Sequence, residues 1–349
     1  MPYLVAGPKP ASQPFFIPQT SNPRDACEII MKTITYVMII GITYCANAQM
    51  VAPKQDAQIQ SLIETLTRNW KLTLRIVDEG GQPVMGAKAG VGNNIAKLHI
   101  SGLTDTNGIF VASHRDAIEE VGIYAKKNGY YSFHESHLLG REHEFLNSTI
   151  KIILREIGKP IPMYAKQAHM IFQQVGTPMG FDLGAGDWVT PYGKGFHTDI
   201  IFTLLHRQII NQREYDCELK LTFPNHGDGI AVAPAIPVAG SEFKTSRTAS
   251  ETGYEPELDL HYSNTNHPPS VFGYFIRVRT ELNPDGSIKS ALYGKIAGNF
   301  RFYAGTIAPT SGMGFTYYLN PTPNDRNVEF NPKKNLIKDL KFDEEVKEP

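Results

Sequence analysis

The chain has 349 residues, of which 41% are hydrophobic and 20% charged, and its formal net charge is −1. This length is enough for two domains with separate cores. The near-zero charge excludes the basic footprint that nucleic-acid binding needs, and three cysteines exclude a scaffold held by several disulfides.

A secretory signal peptide is predicted at 31–48. Met31 and Lys32 precede an apolar run over 34–44, and Ala46-Asn47-Ala48 supplies the small residues of a cleavage site. The pattern predicts an exported protein, either secreted or held in the periplasm or cell envelope, with no membrane span after cleavage.

The segments around this signal predict little packed structure. Residues 1–30 are rich in Pro, Ser and Gln, so we interpret them as a mis-extended N-terminus, with a long leading region of the signal as the alternative. Cleavage after Ala48 makes Gln49 the first mature residue. Residues 49–68 form a leader, either a short amphipathic helix or a linker, because Ile59, Leu62, Ile63 and Leu66 have helical spacing.

The segment 69–158 predicts an antiparallel β-sandwich of the immunoglobulin or transthyretin type. Leu72, Leu74 and Ile76 alternate with polar residues, as in a half-buried strand. Turn residues then separate several short apolar runs, a pattern typical of sandwiches. The further strands are expected after 83–87 and at 109–111, 121–125, 130–133 and 149–154.

Three turn-bearing segments, 78–87, 102–110 and 127–130, together resemble the carboxypeptidase regulatory-like domain, which is a transthyretin-like sandwich. The resemblance covers about 70–155. The chain departs from the family's pattern in two long segments, 112–121 and 135–148. The resemblance implies a structural or binding module that is itself non-catalytic. None of the eleven histidines has Glu three residues later, so no peptidase metal site accompanies it.

Lys159-Pro160-Ile161-Pro162 is interpreted as a linker that continues neither sheet. A second β-rich domain, of sandwich or jelly-roll type, is expected at 163–335, followed by a charged tail at 336–349 that we expect to fray. Its strands are predicted at 200–205, 217–223, 274–281, 288–296, 299–303 and 315–319. The whole arrangement resembles that of exported bacterial proteins to which no activity is assigned. The segments that carry the resemblance are 181–183, 186–189, 191–195 and 325–330.

No motif in the chain identifies a reaction. The zincin, nucleophile-elbow and phosphate-loop patterns are absent from the sequence, and we expect no cofactor. His134, His137 and His143 lie near three glutamates and allow a divalent metal, although a solvated loop is the simpler interpretation. Cys217 alternates with apolar neighbours and is expected to be buried in a strand.

The segment 181–199 carries the candidate binding residues. With Gly180 just before it, it combines five glycines with aromatic and charged side chains, which offer stacking faces and directional hydrogen bonds. The candidates are Asp182, Asp187, Trp188, Tyr192, Lys194, His197 and Asp199. The leading hypothesis is a non-catalytic binding or structural module for a glycan or a cell-surface protein. The alternatives are a hydrolase acting on an extracellular polymer through paired carboxylates, and a purely structural loop whose Trp188 fills the core.

Overall fold

The computed structural model describes residues 67–139, 147–211, 213–236, 240–304 and 311–349. The predicted signal peptide and nearly all of the leader lie outside these residues. Residues 68–349 form one compact unit, and within the described ranges no helix has the length and apolar character needed to cross a bilayer. The strands are β1 (Arg68–Val77), β2 (Lys88–Asn93), β3 (Leu98–Leu103), β4 (Ile109–Asp116), β5 (Glu120–Lys126), β6 (Phe133–Leu138), β7 (Asn147–Ile153), β8 (Ile161–Phe172), β9 (Pro178–Asp182), β10 (Asp187–Trp188), β11 (Ile200–Asn211), β12 (Glu214–Thr222), β13 (Gly229–Val232), β14 (Glu257–Ser263), β15 (Gly273–Leu282), β16 (Ile288–Ala304), β17 (Ser311–Leu319) and β18 (Phe330–Asn335).

The first sandwich packs a three-stranded sheet, β4-β1-β7, against a four-stranded sheet, β3-β2-β5-β6. All pairings are antiparallel except that of β1 with β7. Leu72, Leu74 and Ile76 are fully buried in its core, as their alternation predicts. Gly108 has a φ of 71° in the predicted turn, and a side chain there would lie 2.3 Å from the Ile76 carbonyl oxygen. Only glycine fits at this position.

The second sandwich packs the sheet β10-β9-β11-β12-β14 against the sheet β13-β15-β16-β17-β8-β18. Its core is rich in aromatic residues from both sheets, including Phe181, Phe202 and Phe315. Strand β8 pairs antiparallel with β17 on one side and parallel with β18 on the other. The all-β fold class predicted from the sequence is therefore confirmed, and the strands form two sandwiches.

Two expectations at the boundaries of the second sandwich are wrong. Strand β8 begins at Ile161 and includes Pro162, so the proline segment does not stay outside the sheets. A proline near the start of a strand is tolerated because few ladder bonds are lost there. The tail does not fray either. Val346 is buried beside Met163, and the Lys166 ammonium lies 3.0 Å from a carboxylate oxygen of Glu344.

Strand lengths also differ from those predicted. The strands predicted at 200–205 and 217–223 are longer than expected, because β11 continues to Asn211 and β12 begins at Glu214, and the two pair beyond the core. The runs 288–296 and 299–303 form the single strand β16, with an irregular register at its bend. Strand β3 has no counterpart among the predicted strands, since its alternating residues are only half-buried.

Buried polar side chains connect the two sandwiches. The Arg155 side chain, 3% exposed, places Nε 2.9 Å from a Glu79 carboxylate oxygen and donates Nη1 to the carbonyls of Phe243 and Thr245, at 2.8 and 2.7 Å. Glu329 of the second sandwich accepts the hydroxyl of Tyr131 at 2.7 Å. Arg155 and Tyr131 thus bond across the boundary between the cores, and Glu79 also pairs across it with Arg247 at 2.7 Å. The division into domains at 69–158 and 163–335 stays a prediction.

Candidate functional site

The predicted site residues Asp182 and Asp199 meet at Arg279, a partner that the sequence analysis does not identify. Arg279 Nε lies 2.8 Å from Asp199 Oδ1, and Nη2 lies 2.9 Å from Asp199 Oδ2 and 3.0 Å from Asp182 Oδ1. The two aspartates are only 2% and 1% exposed. Such a fork-shaped pairing compensates for burying the carboxylates.

The Asp182 carboxylate also organises the chain around it. Its Oδ1 accepts the backbone N–H groups of Gly184 and Ala185, and its Oδ2 those of Phe196 and His197, all at 3.0 Å. Burial works to raise the pKa of Asp182, but these hydrogen bonds outweigh it and lower the pKa. The carboxylate is therefore ionised and fully engaged by the chain, which suits a structural role better than attack on a substrate.

Arg279 is held in an unusual backbone conformation. Its φ is 55°, in the left-handed region that non-glycine residues seldom adopt, at a register shift between β15 and β16. The buried carboxylate of Asp228 accepts the N–H of Arg279 at 3.1 Å and that of Thr280 at 2.8 Å. Asp228 thus fixes the bulge that points the guanidinium at the two aspartates.

Asp187 closes the next turn. Its Oδ1 accepts the N–H of Trp188 at 2.8 Å, and its Oδ2 accepts that of Lys194 at 2.9 Å. Gly193 lies so close that a side chain there would be 2.3 Å from the Trp188 carbonyl oxygen. We call residues 189–198, which Asp182 and Asp187 hold through these bonds, the display loop.

Trp188 lies in the core of the second sandwich. It is 9% exposed, and its ring packs edge-on against Phe181 and Phe202, at centroid distances of 4.7 and 5.6 Å. Its indole N–H donates to the carbonyl of His169 at 3.3 Å. This burial leaves no ring face for a ligand, so the alternative of a core tryptophan describes the position better than the stacking hypothesis.

The display loop exposes aromatic and basic side chains around one turn. Phe196 is 87% exposed and Tyr192 is 38% exposed, and Lys194 and His197 are exposed beside them. Phe196 is absent from the candidates named from the sequence, because an isolated phenylalanine usually indicates core. An exposed phenylalanine on a backbone fixed by carboxylates is the signal that only the structure supplies.

A second aromatic surface lies on the outer face of the sheet β3-β2-β5-β6. Gly90 and Tyr124 are opposite each other, and a side chain at Gly90 would lie 2.5 Å from the tyrosine ring. The Tyr124 ring therefore covers the glycine and stacks on His99, at 6.1 Å and 11°. We call this surface the glycine platform. The sequence analysis does not predict it.

Positive charge borders the glycine platform. Lys88 and Lys126 are directly opposite in the β2–β5 register, and neither makes an ion pair with any residue that the structure describes. Like charges in such positions destabilise a sheet. With Lys127 and Tyr130 they line an open groove. The arrangement suits a ligand with acidic groups.

The remaining sequence hypotheses concern histidine and cysteine. His134 pairs with Tyr124 and His137 with Val121, so the two histidines lie on opposite faces of β6 and do not share a metal ligand sphere. His143 lies outside the described residues, among which no cluster of three metal-binding side chains occurs. Cys217 is buried, as predicted, and burial raises the pKa of its thiol.

Comparisons with known proteins give weak likenesses. No protein-family model and no curated protein matches the chain. A shaft pilin from Lactobacillus rhamnosus GG is 11% identical, with a TM-score of 0.22 over 48% of this chain and 91% of that one. A DUF3823 family protein from Parabacteroides merdae is 9% identical, with a TM-score of 0.20 over 75% and 98%. A membrane-associated protein of unknown function from Bacteroides fragilis is 10% identical, with a TM-score of 0.21 over 74% and 99%. These values assign no function to the chain.

Proposed function

We propose that this protein is an exported, non-catalytic binding module that holds a glycan of the cell envelope or exterior on its display loop. The observation that carries the proposal is the 87% exposure of Phe196 on a loop fixed by buried carboxylates. Tyr192 lies on the same loop, so two aromatic faces are available for a sugar ring. Lys194 and His197 supply hydrogen-bond donors next to them.

The rigidity of the display loop supports binding. Asp182 and Asp187 accept the backbone N–H groups of Lys194, Phe196 and His197, so the loop needs little ordering when a ligand arrives. Preorganisation of this kind raises affinity by lowering the entropic cost of binding. The rival hydrolase has weaker support, because both carboxylates of the Asp182–Asp199 pair already bond to Arg279.

The resemblance to the carboxypeptidase regulatory-like domain is part of the same proposal. The turns that carry the resemblance contain Gly81, Gly108 and Gly129, and all three have positive φ angles, as such turns require. We propose that this first sandwich is a regulatory-like module that supports the second. Export rests on the signal pattern at 31–48, and the intact mass of protein recovered outside the cytoplasm should correspond to a chain beginning at Gln49.

Binding to polysaccharides tests the proposal directly. The wild type and Phe196→Ala are compared by affinity electrophoresis in gels containing neutral and acidic cell-surface polysaccharides. We expect the wild type to be retarded by at least one of them. Phe196→Ala should bind at least about fivefold more weakly, because loss of a stacked aromatic costs about 1 kcal/mol or more. Phe342→Ala is the matched control, since Phe342 is 82% exposed and lies far along the chain.

Two outcomes contradict the assignment. If Phe196→Ala binds as tightly as the wild type, the display loop is not the binding surface. If Tyr124→Ala abolishes binding instead, the glycan lies on the glycine platform. Failure of the wild type to bind any polysaccharide, together with capture of a cell-surface protein that Phe196→Ala loses, would assign the loop to a protein partner.

A further inference from the structure

Lys295 is a buried amine in the middle of β16. It pairs with Phe275 in β15 and Tyr318 in β17, and its side chain is only 2% exposed. Its Nζ lies 4.3 Å from the ring centroid of Phe243 and 4.5 Å from that of Tyr318. Two aromatic faces thus stabilise the ammonium, although neither replaces the hydrogen bonds that water would make.

Neither Lys295 nor its neighbour Thr245 has a hydrogen-bond partner for its side chain in the described part of the chain. The Lys295 Nζ makes no hydrogen bond and no ion pair there. Thr245 is 3% exposed, and its Oγ1 is buried without a bond. Buried polar groups are nearly always paired, because leaving one unpaired costs free energy. Two such groups in one place indicate that a further molecule completes their hydrogen bonds.

Both groups line the same cavity, whose volume is about 350 Å³. Val271, Ala297 and the Tyr318 ring supply apolar wall beside the two polar groups. Charged side chains of Glu242, Lys244 and Glu348 also line it. A cavity of this size that combines apolar wall with polar groups can hold a small molecule.

We propose that this cavity binds a small monocarboxylate, whose oxygens accept hydrogen bonds from the Lys295 ammonium and the Thr245 hydroxyl. The two donors match the two oxygens of one carboxylate. The apolar part of the ligand contacts Val271 and Ala297. Glu242 and Glu348 also line the cavity and disfavour ligands with two negative charges, such as phosphates.

The charges around Lys295 give the site a pH dependence. Burial and, to a smaller extent, the charge of Arg155 lower the pKa of Lys295 to about 7, although Glu329 acts in the opposite direction. Lys244, Glu242 and Glu348 also face the cavity. A bound carboxylate favours the charged amine, so binding takes up a proton and weakens as the amine loses its proton above pH 7.

Titration calorimetry of the full chain with acetate, butyrate and benzoate tests the proposal, with benzamide as the uncharged analogue of benzoate. We expect saturable binding of at least one carboxylate, no binding of benzamide, and an affinity that falls by up to about tenfold per pH unit above pH 7. Lys295→Met should lose binding at least tenfold, and Thr245→Val several-fold. Lys289→Met is the control, because Lys289 is 63% exposed and pairs with Glu281.

Three results would contradict the proposal. Absence of saturable binding by all three carboxylates would mean that water alone fills the cavity. Unchanged affinity in a folded Lys295→Met or Thr245→Val variant would overturn the assignment of the donors. If Lys295→Met does not fold, Thr245→Val and the pH profile of the wild type decide, and an affinity independent of pH contradicts the proposal.

Discussion

In the second sandwich, buried charged side chains hold separate segments of the chain together. Asp182, Asp199 and Arg279 come from strands or turns far apart in the chain, yet their side chains meet within hydrogen-bond distance. The carboxylates bond to the guanidinium and to backbone N–H groups, and they thereby shape the display loop. Tyr192 and Phe196 are exposed on the loop that these charges hold in place.

Truncation of Trp188 distinguishes its two interpretations. Because the ring is 9% exposed and packs on Phe181 and Phe202, Trp188→Ala should lower the free energy of unfolding by about 3–5 kcal/mol through lost burial and a cavity. Phe196→Ala, at an exposed position, should change it by less than about 0.5 kcal/mol. Denaturant titration measures both. A Trp188→Ala variant as stable as the wild type would show that the Trp188 ring is not part of the core.

At the scale of elements, strands with one buried face can be predicted from the sequence, because apolar and polar residues alternate along them. Strands without this alternation are missed. Leu72, Leu74 and Ile76 define β1 correctly, because the period of a half-buried strand is visible in the residues. Strand β8 is not predicted, since Pro162 indicates a break and the parallel partner β18 lies far along the chain. Local pattern carries no information about such distant pairing.

The candidate site could also be predicted only in part from the sequence. The glycines and aspartates of 181–199 indicate a tightly held loop, and the structure has one there. The sequence places Trp188 and Phe196 on no particular side of the backbone, and the structure buries the first and exposes the second. Arg279 has no local signal at all, because its role depends on a bulge that Asp228 holds from another segment.

At the scale of the whole molecule, the two sandwiches have separate cores joined by buried polar contacts. Clusters centred on the first and second sandwiches contain different residues. Arg155 donates to two carbonyls of the second sandwich, Arg247 pairs with Glu79, and Tyr131 donates to Glu329. These polar contacts make the joint specific in geometry. We therefore expect the two cores to unfold together while this joint is intact.

Removing Arg155 should uncouple the two cores. Arg155→Met leaves the carbonyls of Phe243 and Thr245 without their donor, so the joint should weaken by about 3 kcal/mol. We expect calorimetry to show one transition for the wild type and two for the variant. Arg115→Met, at an exposed position, is the control and should leave the single transition unchanged. One unaltered transition in Arg155→Met would show that the joint contributes little to coupling.

The pairing of β8 has a consequence for the order in which the chain acquires its structure. The first sandwich has all its strands once Ile153 has been made, and a bridge from β6 to Ser241 comes from later residues. Strand β8 follows immediately, but its partners begin only at Ser311 and Phe330. Contacts of such high contact order form slowly, because a long loop must close before they are gained. During synthesis both edges of β8 therefore stay unpaired, and we expect the chain to be most prone to aggregate in the interval before β17 has been made.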